Sequence, residues 1–222
     1  MAHYKVVEKF ISLNGEGILV GQPAVFIRFH GCNLSCSFCD TSWANEKDTT
    51  YDFMTEEEIY EYIKGTGIKN VTLTGGEPLL VPNIAELLHL LSLDTCLHVE
   101  IETNGSIDLS PFAIIPNSPS FTMDYKLPGS LMEDKMLVSN FEILSQKDTV
   151  KFVVGSREDL NRAREVIYDY DLTSKCHVLI SPVYGKIKLD EIADYLIKHR
   201  MNNVAMQLQM HKIIWGPDRR GV

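Results

Sequence analysis

Three cysteines, Cys32, Cys36 and Cys39, lie within eight residues of the chain. Three residues separate the first two thiols and two residues separate the last two, so one short loop is able to hold a single cofactor. An iron–sulfur cluster with four irons normally takes four cysteine ligands, and three ligands leave one iron open to a small molecule. The loop therefore predicts a 4Fe-4S cluster that takes part in chemistry.

A structural zinc ion is the alternative, with three cysteines and a histidine such as His30 as ligands. Zinc ribbons and fingers usually bring their ligands as two separated pairs, and the sequence has no second pair of cysteines spaced by two residues. The spacing therefore favours the cluster. The other two cysteines, Cys96 and Cys176, lie singly beside apolar segments, and we expect both to be small buried side chains.

Length and composition favour one domain and a small-molecule reaction. A chain of 222 residues with 45% hydrophobic content is able to bury one sizeable core, and no linker or repeat divides it, so we expect one domain over residues 1–222. The formal charge of −9 opposes binding to nucleic acid. No apolar run reaches the roughly 18 to 20 residues of a membrane span, and the N-terminus has no apolar signal core. Five cysteines without an obvious pairing fit a cytoplasmic protein that binds no membrane.

Short strand-like segments alternate with amphipathic helix-like segments. The strand-like segments are 23–29, 70–73, 97–101, 121–124, 150–154, 177–180 and 204–208. The helix-like segments follow Thr55, Asn83, Ser156 and Asp190. Repeated β–α order predicts an α/β fold with mainly parallel strands. Because a full eight-fold barrel typically needs about 250 residues, we predict a partial, shortened β/α barrel.

The unusual segments of the sequence directly follow predicted strands, so we expect them at the carboxyl ends of those strands, on one rim. Alternate residues of a strand face the same way, so His98, Glu100 and Glu102 share one face. Acids in mid-strand need polar surroundings, and they indicate a polar lumen inside the barrel. The rim segments are the cysteine loop and residues 74–78, 102–105 and 124–126.

The turn Gly75-Gly76-Glu77-Pro78 follows the second predicted strand. Two glycines let the main chain approach a ligand closely, and the carboxylate of Glu77 is suited to accept a hydrogen bond from an ammonium group. An ordinary strand-to-helix turn, in which Glu77 and Pro78 open the helix, explains the same residues equally well. The turn becomes informative only together with the cysteine loop.

Together, the cysteine loop, the aromatic Phe38 before its last cysteine and the Gly75–Pro78 turn resemble the signature of the radical S-adenosylmethionine (SAM) superfamily. The resemblance implies that SAM chelates the open iron and that one electron from the reduced cluster cleaves SAM to a 5′-deoxyadenosyl radical. It also implies a radical SAM core built on the partial barrel. The residues it implies in cofactor binding are Phe38, Cys39, Asp40, Gly75, Gly76, Glu77, Glu102, Asp124 and Lys126.

Further segments resemble the 7-carboxy-7-deazaguanine synthase family within that superfamily. They are Ile11–Gly17, Gly21–Ala24, Phe26–Arg28, Cys39–Thr41, Ile101–Gly105, Asp124–Pro128 and Gln209–Trp215, so the resemblance extends over nearly the whole chain. Members of the family often carry a long insertion between the first two cluster cysteines, where this chain has three residues. The shorter loop keeps every ligand but bears on how the cluster is shielded.

This second resemblance implies a carbon–nitrogen lyase of queuosine-type biosynthesis. The reaction is the ring contraction of 6-carboxy-5,6,7,8-tetrahydropterin to 7-carboxy-7-deazaguanine with loss of ammonia. The radical would take a hydrogen from the pterin carbon that bears the carboxylate, and that hydrogen would return to regenerate SAM. No acid or base of the chain is then the main catalyst, and the protein binds, orients and protects the reactants. The family also implies a homodimer and an electron donor such as flavodoxin.

A magnesium ion is the third cofactor that the family implies, held between the Thr41 hydroxyl and the substrate carboxylate. Magnesium retains waters and accepts substrate oxygens, so a single protein ligand suffices. Without the family, Thr41 is more simply a cap of the next segment. Metal ligands are thus expected at Cys32, Cys36 and Cys39 for the cluster and at Thr41 for magnesium.

Candidate substrate contacts come from both ends of the chain. The main chain at residues 13–15, the carboxylate of Glu16 and the amide of Gln207 or Gln209 are suited to the donors and acceptors of a pterin edge. Glu16 would otherwise close a surface turn. The expected substrate contacts are Leu13, Asn14, Gly15, Glu16, Arg28, Thr74, Gln209 and His211.

The two cationic candidates have structural alternatives. Arg28 offers a planar fork for the substrate carboxylate, unless it pairs with Glu100 or Glu102 inside the barrel. His211 and Lys212 fit a capped cationic strand end as well as they fit a substrate contact. Neither ambiguity is resolved by the sequence.

Two other functions compete with the synthase. An activase that makes a glycyl radical on a large partner shares the cysteine loop and the size, although residues 13–17 and 209–215 favour a small heterocycle. A zinc or iron–sulfur binding module without catalysis is an alternative of another class. Anaerobic purification distinguishes these classes, because iron gives a brown protein whereas zinc gives a colourless one.

Overall fold

The computed structural model describes residues 3–222, and within them nine strands form one sheet. The strands are β1 (Tyr4–Leu13), β2 (Pro23–Phe29), β3 (Asp52–Met54), β4 (Asn70–Gly75), β5 (His98–Thr103), β6 (Ser120–Tyr125), β7 (Thr149–Val154), β8 (His177–Pro182) and β9 (Val204–Met206). Their order across the sheet is β3-β1-β2-β4-β5-β6-β7-β8-β9. Neighbours are parallel from β2 to β9, whereas β1 pairs antiparallel with β2 and with β3.

Helices connect the parallel strands and one follows β9. They are α1 (Glu56–Thr66), α2 (Ile84–Ser92), α3 (Ser110–Ala113), α4 (Arg157–Asp169), α5 (Leu172–Lys175), α6 (Leu189–Lys198) and α7 (Met210–Ile214). Short 3-10 helices lie at Ser42–Asn45, Pro78–Leu80, Pro128–Ser130, Glu133–Lys135 and Val138–Glu142. In the part of the chain described, no helix is both long enough and apolar enough to cross a membrane.

The predicted α/β fold with mainly parallel strands is confirmed. All seven predicted strands are present, and only β2 keeps both of its predicted ends. The strands β1 and β3 were not predicted, because β1 mixes charged and apolar residues and β3 has three residues. Since β3 and β9 form two separate edges, the sheet stays open, as expected of a partial barrel.

The helix α1 shows how local sequence sets the outer layer. The Thr55 hydroxyl accepts a hydrogen bond from the Glu58 N–H, and the Glu58 carboxylate accepts one from the Thr55 N–H, which closes a capping box. Gly67 ends the helix in the left-handed conformation at a φ of 71°. Between these ends α1 buries Ile59 and Ile63 completely against the sheet, which leaves the other face of the sheet for the lumen.

Candidate active site

The carboxyl ends of the parallel strands surround a cavity of about 480 Å³, called here the main cavity. The cysteine loop (residues 30–41) forms one wall, and residues 13–16 and 209–212 form another. The expected rim is therefore confirmed. The expected site residues that line the cavity are Leu13, Gly15, Glu16, Arg28, Cys32, Cys36, Phe38, Cys39, Asp40, Thr41, Thr74, Gly75, Gly76, Glu102, Asp124, Lys126, Gln209 and His211.

The thiols of the cysteine loop face this cavity and receive few hydrogen bonds. The Leu34 N–H donates to Cys32 Sγ at 3.4 Å, and the Asn104 amide donates to the same sulfur at 3.6 Å. Burial raises the pKa of the Cys32 thiol above its ordinary value, against the lowering effect of these two bonds. Burial also raises the pKa of the Cys36 thiol, against the nearby Lys126 ammonium. Iron must therefore displace protons from both thiols when it binds.

The geometry of the loop fits a cluster better than a single ion. Among residues 3–222, no three His, Cys, Asp or Glu side chains are grouped so that they could hold one metal ion. Zinc requires such a group, whereas the three cysteines of a four-iron cluster bind three different irons. His30, the candidate fourth zinc ligand, has its Nε2 atom 3.3 Å from the Glu46 carbonyl oxygen, and its ring centroid lies 5.3 Å from that of Tyr51.

The two cysteines outside the loop differ from one another. Cys176 is buried as predicted, with 4% of its surface exposed. The prediction that Cys96 is buried is wrong, because its side chain is exposed. Cys96 precedes β5 in a turn where its N–H donates to the Asp94 carboxylate at 3.0 Å, so the apolar residues that follow it do not cover it.

The two glycines of the Gly75-Gly76 turn are required by neighbouring main chain. A side chain on Gly75, at a φ of 153°, would overlap the main chain of Phe29. A side chain on Gly76 would overlap the Gly31 carbonyl oxygen and the Asn45 side-chain oxygen. The Glu77 N–H donates to the same Gly31 oxygen at 2.8 Å. The turn therefore positions the start of the cysteine loop directly.

Glu77 requires a correction, because its carboxylate is occupied within the protein. The side chain is fully buried and does not line the main cavity. Its oxygens accept from the Leu79 N–H at 3.0 Å, the Thr103 hydroxyl at 2.9 Å and the Asn104 N–H at 2.6 Å. Burial raises the pKa of Glu77 to about 7, although these donors lower it. The carboxylate thus joins the turn to the end of β5 and is not placed to bind the SAM amino group.

A group of buried charges lines the cavity near Cys36 of the cysteine loop. Lys126 Nζ donates to Asp124 Oδ2 at 2.9 Å, and Lys151 Nζ lies 3.7 Å from the same oxygen. Burial raises the pKa of Asp124, but the two ammonium groups outweigh it and hold that pKa below its ordinary value. The other oxygen of Asp124 is buried and has no hydrogen-bond partner among the described residues. Asp124 as a residue lines the main cavity together with Lys126 and Lys151.

Lys151, in the middle of β7, was missed by the sequence reasoning. Its ammonium pairs with Glu16 Oε2, and Glu16 Oε1 accepts from Gln209 Nε2 at 2.6 Å. Burial raises the pKa of Glu102, and the charge of Lys151 lowers it. Because burial has the larger effect, the Glu102 pKa is raised. A lone lysine in a strand that is otherwise Thr, Val and Phe was the available signal. By alternation, such a residue faces the lumen as Glu100 does.

The N-terminal wall is attached to the C-terminal segment by side-chain amides. Gln207 accepts from the Gly17 N–H at 2.7 Å and donates to the Gly17 carbonyl oxygen at 2.9 Å, so its amide is occupied within the protein. Asn14 is also corrected, since it lies outside the cavity lining and accepts from the Thr72 hydroxyl at 3.0 Å. The Asn14 main chain bonds to Gln22 and Gly21, which closes the turn between β1 and β2.

Arg28 pairs with a residue that neither interpretation named. Its Nε atom donates to Glu8 Oε2 at 3.0 Å, and Glu8 is its cross-strand neighbour in the β1–β2 pair. The proposed pairing with Glu100 or Glu102 is therefore not seen. Within residues 3–222, the two terminal nitrogens of Arg28 carry no hydrogen bond, and the side chain lines the cavity.

His211 and Lys212 lie in α7 and not at a strand end, which corrects the cationic strand end considered from the sequence. Lys212 Nζ lies 2.7 Å from Asp40 Oδ2, so this helix contacts the cysteine loop across the cavity. His211 is packed so closely on Gly15 that a side chain at Gly15 would overlap its ring. Burial lowers the His211 pKa, which keeps the ring neutral at neutral pH.

Thr41 precedes the 3-10 helix at Ser42–Asn45 but does not cap it through its side chain. The hydroxyl lies 3.7 Å from Cys39 Sγ and lines the main cavity. The Thr41 hydroxyl is thus available to a ligand beside the cluster loop.

Residues 217–222, which were not predicted, line the same cavity, and the Arg220 guanidinium lies 4.0 Å from the centroid of the Trp43 ring.

A three-cysteine loop over the rim of a partial barrel is the arrangement of a radical SAM protein, and the model of the radical SAM superfamily matches residues 26–115. The chain is 59% identical over 220 residues to the 7-carboxy-7-deazaguanine synthase of Clostridium acetobutylicum, covering 99% of this chain and 100% of that protein. It is 39% identical to the synthase of Methanospirillum hungatei, covering 96% of this chain and 86% of that protein.

A solved structure agrees with these relatives on the fold. The crystal structure of QueE from Escherichia coli superposes with a TM-score of 0.71 at 22% identity, covering 93% of this chain and 94% of that chain. The two curated relatives, at 59% and 39% identity, lead from the superfamily to one member family. The chain belongs to the 7-carboxy-7-deazaguanine synthase family of radical SAM enzymes.

Proposed function

We propose that this protein converts 6-carboxy-5,6,7,8-tetrahydropterin to 7-carboxy-7-deazaguanine with loss of ammonia. The observation that carries the proposal is one cavity that joins three thiols, the Thr41 hydroxyl and the buried Glu16–Gln209 pair. When bound, the 4Fe-4S cluster and SAM supply the hydrogen-abstracting radical. The side chains of the cavity then bind and orient the two ligands.

The cofactor end of the cavity offers three thiols, two glycine main chains and one carboxylate. Cys32, Cys36 and Cys39 are the cluster ligands in this proposal. Asp124 lines this end of the cavity, and Lys126 beside it holds the pKa of its carboxyl below the ordinary value, so its carboxylate is suited to an ammonium or hydroxyl donor of SAM. The cluster and SAM would therefore bind to thiols, main chain and a carboxylate that line the cavity.

The substrate end offers complementary groups. Glu16 pairs with Lys151 and lines the cavity, where its carboxylate is suited to accept from the amino edge of a pterin. The Gln209 amide nitrogen donates to Glu16, and the residue lines the cavity. The terminal nitrogens of Arg28 suit the substrate carboxylate, as does a magnesium ion on Thr41.

The test of the function is incubation of the reconstituted protein with SAM, a reductant, magnesium and the tetrahydropterin, followed by mass analysis of the products. We expect 7-carboxy-7-deazaguanine and one ammonia for each pterin consumed. A brown protein that cleaves SAM but leaves the pterin unchanged would favour the activase, and a colourless zinc protein would favour the binding module. Either outcome contradicts the proposal.

The magnesium site has its own test at Thr41. Thr41→Ala should lower product formation at least tenfold without loss of cluster or SAM binding, because a metal that orients substrate is not the source of the radical. Thr41→Ser should retain most of the activity, since the ligand oxygen is kept. Product formation is titrated with magnesium after chelator treatment, and an equal response of wild type and Thr41→Ala would remove magnesium from this site.

The same proposal covers the assembly of the protein, its domain, its location and its electron donor. We infer a homodimer, a single domain over residues 1–222, a cytoplasmic location and an electron-donor protein such as flavodoxin. A reducing compartment suits an oxidisable cluster and five cysteines that are free thiols. Sedimentation of the reconstituted protein tests the dimer, and product formation with reduced flavodoxin tests the donor.

A further inference from the structure

The cluster ligand Cys32 faces two cavities. One is the main cavity, and the other is an outer pocket lined by His3, Lys5, His30, Gly31, Cys32, Leu80, Val81 and Pro82. The other two cysteines of the loop line only the first of these two cavities. Of the three cysteines, Cys32 is therefore the one that lies between the main cavity and the outer surface of the described chain.

The outer pocket has a charge that is unusual for this protein. The chain carries a formal charge of −9, yet the pocket lining includes one lysine, two histidines and no carboxylate. Lys5 and His3 are exposed, and 42% of the Leu80 surface is exposed at the rim. A small basic surface, with Lys5 as its charged group and an apolar edge, suits an acidic partner, because opposite charges steer a short-lived encounter.

Two of the basic residues, Lys5 and His30, are held in place by local contacts. The His30 N–H donates to the Lys5 carbonyl oxygen at 3.0 Å, which joins the end of β2 to β1. Lys5 Nζ lies 4.9 Å from the centroid of the Tyr51 ring, on which His30 also packs. The Tyr51 ring in turn meets Phe53, of which 62% is exposed. The surface is thus ordered before any partner arrives, which lowers the entropy cost of docking.

The proposed function requires one electron from outside to bring the cluster to its reduced state before SAM is first cleaved. We propose that the outer pocket, with Lys5, His3 and His30, docks an acidic one-electron carrier protein that reduces the cluster through Cys32. This inference rests on the proposed function only for the presence of the cluster. One electron leaves the carrier and takes the cluster from the 2+ to the 1+ state, and no bond is formed or broken. The short cysteine loop leaves this side of Cys32 uncovered.

The experiment measures reduction of the cluster directly, without pterin. The reconstituted protein is mixed with fully reduced flavodoxin in a stopped-flow spectrometer, and loss of the cluster absorbance gives a second-order rate constant. Lys5→Glu and the pair His3→Glu/Lys5→Glu should lower that constant about tenfold or more at low salt, with a smaller effect at high salt. Calorimetric titration with oxidised flavodoxin should show a matching loss of affinity.

The matched control is Lys69→Glu, an exposed lysine just before β4 at the opposite end of the sheet. Lys69→Glu changes the net charge by the same amount as Lys5→Glu. If local docking decides the rate, the rate constant of Lys69→Glu should nevertheless stay within about twofold of wild type. Reduction by dithionite, a small ion that needs no docking surface, should be fast and complete in every variant. Lys5→Gln should fall between wild type and Lys5→Glu.

Each contrary outcome has a defined meaning. An equal loss in Lys69→Glu, or no loss in the Lys5 variants, would overturn the docking surface. Incomplete reduction of the Lys5 variants by dithionite would show damage to the cluster loop and would also overturn it. If wild type is reduced normally by both donors but forms no 7-carboxy-7-deazaguanine, the proposed function fails while the docking surface stands.

Discussion

The two walls of the main cavity are built differently. The cysteine loop presents thiols and the Thr41 hydroxyl with few hydrogen bonds to the rest of the chain. The opposite wall is already bonded together, because Lys151, Glu16 and Gln209 form one buried network. One wall is therefore completed by its cofactor, whereas the other is preorganised for its ligand. Removal of a thiol from the first wall should remove the cluster, and changes on the second wall should alter substrate affinity and stability.

The largest effect is expected when a cluster ligand is removed. Cys36→Ala should abolish reductive cleavage of SAM, because no neighbouring group replaces the lost thiolate. Iron content, visible absorbance and 5′-deoxyadenosine are measured after anaerobic reconstitution. Cys96→Ala is the control, since this exposed thiol lies outside the site and its loss should leave the iron content unchanged. Cleavage retained in Cys36→Ala would contradict the assignment of the loop wall.

A substitution behind the same wall should act nearly as strongly. Gly76→Ala places a methyl group against Gly31 and Asn45, so it should displace the start of the cysteine loop and lower cluster content as well as SAM binding. If Gly76 contacted only the cofactor, its alanine variant would instead assemble the cluster normally. Gly65→Ala, where the added methyl group meets open space, is the matched control. Full iron content in Gly76→Ala with weak SAM binding would show that the glycine faces the cofactor.

On the preorganised wall, Lys151→Met should leave the buried Glu16 carboxylate without its cation, whereas Asp124 keeps Lys126. Breaking a buried ion pair on one side costs about 3–5 kcal/mol in the free energy of unfolding. We also expect a higher KM for the pterin with little change in cluster content. Urea unfolding and steady-state kinetics measure the two effects. Lys186→Met, at an exposed lysine, is the control, and equal stability of the two variants would mean that Lys151 is not part of the network.

The smallest effect concerns Glu100, deep in the lumen between the walls. Burial, helped by the neighbouring Glu102 charge, raises its pKa from 4.5 to about 7. A raised carboxyl pKa means that the folded state prefers the proton, so this stabilisation is present below pH 4.5 and is lost as the pH rises through about 7. The loss is at most about 3.5 kcal/mol, because one pKa unit corresponds to about 1.4 kcal/mol.

The Glu100→Gln variant isolates this contribution. Its amide keeps an oxygen that accepts from the Thr122 hydroxyl but does not ionise. The difference in urea stability between Glu100→Gln and wild type should therefore grow in favour of the variant from pH 5 to 8. A constant difference across that range would show that Glu100 ionises in the folded chain as freely as in the unfolded one.

The sequence determined the cluster chemistry, the seven parallel strands and the rim on which the motifs meet. These features follow from local rules, because cysteine spacing fixes a chelate and the period of two along a strand fixes which face a residue takes. The same period of two is enough to assign Glu100 and Glu102 to the lumen. It would have assigned Lys151 there as well, had a lone lysine in β7 been given the same weight.

Only the tertiary structure decided which groups meet across that lumen. Glu77 bonds to Thr103 and Asn104, and Arg28 bonds to Glu8, through pairings that bring together separate strands. Sequence periodicity reports the direction of a side chain but not its partner, since register and sheet order depend on the whole chain. The free energy of a buried charge depends on that partner, so the division of carboxylates into structural and ligand-binding groups had to come from the fold.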